Sequence, residues 1–182
     1  VEGGPSEQLQ LGPACFVDMA PDGETVVFNR IGSQRATWKR YGGGLSDDVW
    51  RGNPKTQQFE KLTTFFGNDQ SPHIIGDRVY FGSERDGRMN LWSVRLRGGD
   101  LEQHTKNTEF DVRFLTGDGQ GKLVYQQGAD IAVYDTASGT QTIVPITLKS
   151  DRPDARPRFA SATANLEGGD LANNGERALV TT

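Results

Sequence analysis

The sequence predicts an all-β fold, a β-propeller built of four-stranded antiparallel blades, and three observations predict it. A turn rich in Asp, Asn and Gly recurs ahead of a short apolar run. The stretches beyond each turn alternate apolar and polar in the strand period. The order of strands and turns repeats at about the 40 to 45 residues expected of one propeller blade. The repeated phrase reads Pro21-Asp22-Gly23-Glu24 into Thr25-Val26-Val27-Phe28, Ile75-Gly76-Asp77-Arg78 into Val79-Tyr80-Phe81, Gly117-Asp118-Gly119-Gln120 into Leu123-Val124-Tyr125, and Asn173-Asn174-Gly175-Glu176 into Ala178-Leu179-Val180. Tight hairpin turns need positive φ, which Gly adopts without a Cβ penalty and Asn or Asp tolerates.

Taken in order, residues 1–15 read as the end of a preceding blade, because 1–11 match the stretch 95–103. Residues 16–63 form a blade whose hairpin between second and third strands is lengthened by 32–46, an insertion that a hairpin tip outside the packed sheet tolerates. In 64–105 four strands follow one another: 71–74 innermost, 79–83, then 89–94 after the turn Glu84-Arg85-Asp86-Gly87, and 101–105 after Arg97-Gly98-Gly99-Asp100. The same order returns in 106–150, with strands at 111–115, 122–126, 130–135 and 140–144. Residues 151–182 read as an inter-blade link and the start of another blade.

That count gives about three full blades and two partial ones, an incomplete propeller. A closed propeller has four to eight blades, and an open end exposes strand edges. The expected partner is therefore the remainder of a longer parent chain, or another copy of this one.

Composition narrows the function. With 24% charged and 34% hydrophobic residues and 23 glycines in 182, the chain reads as soluble, globular and rich in turns. A net charge of −4 argues against a nucleic-acid partner, which normally meets a basic stripe. No apolar run approaches membrane-span length. The start Val1-Glu2-Gly3-Gly4 has neither an initiator Met nor a signal-peptide shape, as expected of a chain processed or cut from something longer. The single cysteine, Cys15, excludes an intrachain disulfide and, beside Phe16 and Val17, reads as a small core residue.

No catalytic constellation stands out. The histidines are His73, after a proline on a predicted innermost strand, and His104, on a predicted outer strand; both read as structural or surface residues. No serine lies in a Gly-x-Ser-x-Gly elbow. Two histidines and one distant cysteine give no metal spacing, and Gly119-Gln120-Gly121-Lys122 lacks the Ser or Thr and the helix of a phosphate loop. The expectation is no catalytic residue, no metal site and no cofactor. Asp47, Asp48, Asp69, Asp86, Asp111 and Asp130 sit at strand starts and turns, where they are expected to bind turn backbones rather than to act as paired acids. Trp50 and Trp92 hold corresponding third-strand positions and are expected in inter-blade core. Trp38 lies in the inserted hairpin with Arg35, Lys39, Arg40 and Tyr41; these five are the candidate contacts for a partner or peptide.

Several stretches resemble the tricorn protease family, large serine peptidases with two β-propellers ahead of a catalytic part. Trp38-Lys39-Arg40-Tyr41-Gly42-Gly43 with Asp47-Asp48-Val49-Trp50 resembles a hairpin and strand of its N-terminal propeller. Ser83-Glu84-Arg85-Asp86-Gly87 with Asn90-Leu91-Trp92 is similar to its next blade, and Asp151-Arg152-Pro153 with Ala155-Arg156-Pro157-Arg158-Phe159 to a later inter-blade link. The resemblance implies a non-catalytic propeller segment of a tricorn-like serine peptidase, gating or guiding peptides and supporting assembly. It also implies a cytoplasmic location, an export signal ahead of residue 1 being the periplasmic alternative. The competing reading is a stand-alone protein-binding propeller of the periplasmic translocation type.

Overall fold

Alternation in the sequence becomes fourteen strands in the computed structural model, which describes residues 4, 8–32, 39–147, 149, 157, 159, 161, 163 and 166–181. Residues 1–146 form one compact unit and 147–182 a second.

The first unit holds three four-stranded sheets, each with its strands side by side in chain order. The first comprises β1 (Cys15–Met19), β2 (Val26–Asn29), β3 (Trp50–Asn53) and β4 (Gln58–Lys61). The second comprises β5 (Asp69–Ile75), β6 (Arg78–Ser83), β7 (Asn90–Arg95) and β8 (Glu102–Gln103), and the third β9 (Val112–Gly117), β10 (Lys122–Gln127), β11 (Asp130–Asp135) and β12 (Thr140–Ile143). Adjacent strands pair antiparallel throughout. These are propeller blades. The second unit pairs β13 (Gly168–Leu171) with β14 (Ala178–Thr181).

Two turn aspartates hold their hairpins together. Asp22 Oδ1 accepts the amides of Glu24 and Thr25 at 2.8 Å each, and these bonds lower its carboxyl below the usual range. Asp118 accepts three amides, those of Gln120, Gly121 and Lys122. In β13–β14 the turn repeats the geometry of β1–β2: Ala20 N bonds Thr25 O at 2.8 Å, and Ala172 N bonds Arg177 O at 2.9 Å.

One device recurs in all three blades. The innermost strands carry a left-handed residue, Phe16 (φ 49°), Ser71 (φ 54°) and Phe114 (φ 52°), where pairing with the second strand slips register. A non-glycine residue there is disfavoured, and a bulge that bends each inner strand supplies the reason for it.

The blades pack through alternating faces. Val27, Val49, Ile74, Val79, Phe81 and Val94 fill the seam between first and second blades. Tyr80, Leu91, Val112, Leu115, Leu123, Tyr125, Ala132 and Tyr134 fill the next. Trp50 and Trp92 do correspond: Trp50 pairs with Phe28 and Trp92 with Phe81. Trp92 packs into the first seam, while Trp50 joins Leu11, Val26, Phe28 and Phe59 on the other face of the first blade. The stretch 101–105 is shorter as a strand than its alternation suggests: β8 covers Glu102–Gln103, and the amides of His104 and Thr105 both reach Leu91 O, at 2.8 and 3.4 Å. Cys15 is half-buried rather than a core residue, and burial, with the charge of Asp47, raises its thiol.

Candidate functional site

The inserted hairpin between β2 and β3 is closed at its base by Asp47, whose Oδ1 accepts the amides of Ile31 and Gly32 at 3.1 and 3.2 Å. Of the five candidate contacts, Arg35 and Trp38 lie outside the described residues. Lys39, Arg40 and Tyr41 stand in a strap that reaches across the other two blades. Lys39 Nζ is 2.7 Å from Asp111 Oδ2, at the entry to the third blade. Burial raises the Asp111 carboxyl, but the Lys39 bond, the Met89 amide and the charges of Lys39 and Arg88 together hold it below the usual range. Arg40, itself left-handed (φ 55°), donates its amide to Glu84 Oε2 at 2.9 Å and Nε to Gly87 O at 3.2 Å, both in the β6–β7 turn. Glu84 Oε1 in turn accepts the amide and side chain of Asn68.

The polar groups of Lys39 and Arg40 thus hold the strap down. Beside them Phe66 is 81% exposed, its ring lying against Gly42 so closely that a Cβ there would come within 2.2 Å. Tyr41 is half-buried, and its carbonyl accepts Ser46 Oγ at 3.0 Å. The exposed stems of Lys39 and Arg40, with Phe66, make one mixed basic and aromatic surface.

On the innermost strands the blades are tied by side chains. Asp18 Oδ2 accepts the Ile74 amide at 2.7 Å and lies 3.7 Å from His73 Nδ1. His73 Nε2 is 3.2 Å from Leu115 O. His73 therefore links all three inner strands.

Asp69 is fully buried and paired with Arg85 through both oxygens, at 2.9 and 2.7 Å. The Arg85 guanidinium also faces the rings of Phe65, Trp92 and Phe81 at 5.1, 5.2 and 5.7 Å, and its Nε donates to Ser83 Oγ. Burial of Asp69 outweighs the nearby cation and raises its carboxyl. The remaining carboxylates do not converge: Asp48 meets Lys61 at 2.5 Å and Asp86 meets Asn90 at 3.0 Å. Among the described residues no three His, Cys, Asp or Glu side chains gather as metal ligands would.

Sequence reasoning missed a serine within reach of a histidine. Ser93 Oγ stands 2.7 Å from His104 Nε2, and Tyr134 Oη stands 3.0 Å from His104 Nδ1. Ser93 has no exposed surface, and its Oγ also accepts Arg78 Nε at 2.8 Å, so substrate has no path to it. The available signal was Ser93 two positions after Leu91, on the same inward face of β7.

At the strand ends opposite the strap, an open groove of about 830 Å³ lies between the first two blades, lined by Arg51, Phe59, Asp77, Arg95 and Arg97 among others. Arg51 binds Leu96 O and Glu60, and Arg95 binds Asp77 and Asp100. Its cations are mostly engaged at home.

Residues 1–140 match the model of the tricorn protease N-terminal beta propeller domain. The chain is 34% identical over 161 residues to a tricorn protease homolog of Saccharolobus solfataricus, an alignment covering 88% of this chain and 15% of that protein. It is 32% identical over 170 residues to the tricorn protease of Thermoplasma acidophilum, covering 90% of this chain and 15% of the relative. Among solved structures it resembles the crystal structure of the tricorn protease (TM-score 0.67, 28% identity, 75% of this chain and 13% of that one). It also resembles TolB from Acinetobacter baumannii (TM-score 0.56, 79% of this chain and 35% of that one), where 17% identity speaks for the fold alone. The chain spans about 15% of the length of these two curated relatives.

Proposed function

Since the chain belongs to the family of tricorn protease N-terminal β-propeller domains, we propose that it is a non-catalytic propeller segment of a tricorn-like serine peptidase, which gates or guides peptides and supports assembly in the cytoplasm. In this reading its blades are 16–63, 64–105 and 106–150, flanked by parts of two more. The observation that carries it is the sealing of the Ser93–His104 contact: the serine hydroxyl in reach of a histidine is fully buried and already bonded to Arg78. What remains for substrate is a wall of inner strands tied by Asp18 and His73, and a strapped surface around Lys39, Arg40, Tyr41 and Phe66. Arg35 and Trp38 belong to the same insertion and complete the contact surface of this reading, for peptide or for the remainder of the parent.

Incubating the purified chain with a panel of fluorogenic peptides is expected to give no turnover above buffer. Turnover that Ser93→Ala abolishes would show Ser93 to be a nucleophile and end the non-catalytic reading. A photo-cross-linking side chain placed at Phe66 is expected to capture added peptide. No adduct at saturating peptide would remove the strap as the contact surface.

A further inference from the structure

His104 follows β8 and sits where the second blade meets the third. Arg78 of β6 donates Nε to Ser93 Oγ of β7 at 2.8 Å, Ser93 Oγ meets His104 Nε2 at 2.7 Å, and His104 Nδ1 meets Tyr134 Oη of β11 at 3.0 Å. The Tyr80 and Tyr134 rings flank the imidazole at 5.0 and 5.5 Å. Ser93 is cut off from solvent, so its hydroxyl hydrogen needs an acceptor within the protein. With one oxygen lone pair taken by Arg78, the unprotonated Nε2 supplies that acceptor, which leaves the proton of a neutral imidazole on Nδ1, pointing at Tyr134. The buried serine hydroxyl is satisfied only when His104 is neutral.

We propose that His104 is an acid-sensitive latch between the second and third blades, joining Ser93 to Tyr134 when neutral and releasing that link when protonated. A proton on Nε2 turns the acceptor into a second donor facing Ser93 Oγ. The serine then receives two donors, and its own hydrogen is left without a partner in a dry seam, a costly arrangement. From β6 comes the Arg78 guanidinium, held by Asp100 at 2.7 Å and by Glu102 at 3.4 Å. Burial, the largest influence, and Arg78 disfavour the charged form, while Glu102, two residues before the histidine, favours it; the balance lowers the His104 pKa. Asp77 beyond Tyr80 and Asp135 beyond Tyr134 act on those phenols, which burial keeps protonated.

The sign of the effect follows. An imidazole whose folded pKa is depressed leaves stability intact above its unfolded value, about 6.5. Below that value the unfolded chain takes up a proton that the folded chain refuses, and stability is lost as pH falls through the folded pKa.

Melting temperatures at about pH 7.5 and about pH 5.5, either side of the ordinary imidazole value, are compared for the wild-type chain, His104→Gln and the control His73→Gln. The wild type and the control are expected to lose about 2–4 °C more on acidification than His104→Gln, the shift that loss of one buried hydrogen bond gives a domain of this size. An equal loss in all three overturns the latch. Should His104→Gln fail to fold, the wild-type imidazole resonances decide, because the chain has two histidines. His104 titrating below the ordinary value, with amide shifts in β9 to β12 moving in step, supports the latch; titration at the ordinary value, or without those shifts, overturns it.

Discussion

Between the first and second blades the Asp69 amide donates to Asp47 O at 2.8 Å; between the second and third, the equivalent Val112 amide donates to Met89 O at 2.7 Å. In the first seam Asn68 Oδ1 accepts the Asp47 amide, and in the second Asp111 Oδ1 accepts the Met89 amide. Inside the blades Thr63 and Thr105 play matching parts, their hydroxyls accepting the amides of Val49 and Leu91 at 3.0 and 2.9 Å. Around this shared backbone pattern the polar closures differ. Facing the first seam, the second blade carries a buried ion pair of its own, Asp69 with Arg85, under aromatic rings; across the second seam runs the Arg78–Ser93–His104–Tyr134 chain, in which the central link is a neutral base. A repeat fold fixes the backbone contacts between its units and leaves the side-chain closure free to vary. The two seams accordingly respond to acid in opposite ways. Asp69, its carboxyl raised by burial, takes up a proton in the folded chain before the unfolded chain does, so its own titration does not destabilise the first seam as pH falls. His104, its pKa lowered, weakens the second.

Breaking the first closure has the largest expected effect. Asp69→Ala leaves the Arg85 cation in its aromatic cage without the acceptor that even a protonated carboxyl would still supply, and urea unfolding should show a loss of about 3–5 kcal/mol. Replacing both partners, Asp69→Leu with Arg85→Met, should lose far less, because the seam then carries no buried charge. An equal loss in single and double variants would mean that the ion pair itself, and not the stranded cation, carries the stability. In the second seam, Tyr134→Phe removes one neutral hydrogen bond and should cost about 1 kcal/mol at neutral pH. Smallest of the three is Lys39→Ala on the strap. The lysine is 63% exposed, so its pairing with Asp111 is screened by water, and the cost should stay below about 1 kcal/mol and shrink further in high salt.

Turns and strands were legible because each is decided within a few residues: Asp22-Gly23 and Asp118-Gly119 announce their hairpins, and Leu123, Tyr125, Ala132 and Tyr134 announce one buried face. The insertion after β2 was legible as extra length. Its course was not, since Lys39 and Arg40 find their partners in other blades. The inner-strand bulges left no sequence mark: Phe, Ser and Phe occupy Phe16, Ser71 and Phe114, and the backbone there is set by pairing with β2, β6 and β10 rather than by residue preference. Glu84-Arg85-Asp86-Gly87 was recognisable as a turn, but the work of Arg85 depends on Asp69, which a linear reading assigns to turn chemistry. The His104 chain draws on four strands or strand ends in two blades, and no spacing rule joins them.

The most direct measurement is amide hydrogen exchange at the two equivalent positions, Asp69 and Val112, at about pH 7.5 and about pH 5.5. Taking the ratio of the two protection factors cancels most of the intrinsic pH dependence of exchange. If the second seam is closed by a neutral histidine while the first carries a buried ion pair, protection at Val112 should fall relative to Asp69 on acidification. A ratio that stays constant, or a loss led by Asp69, would contradict the account.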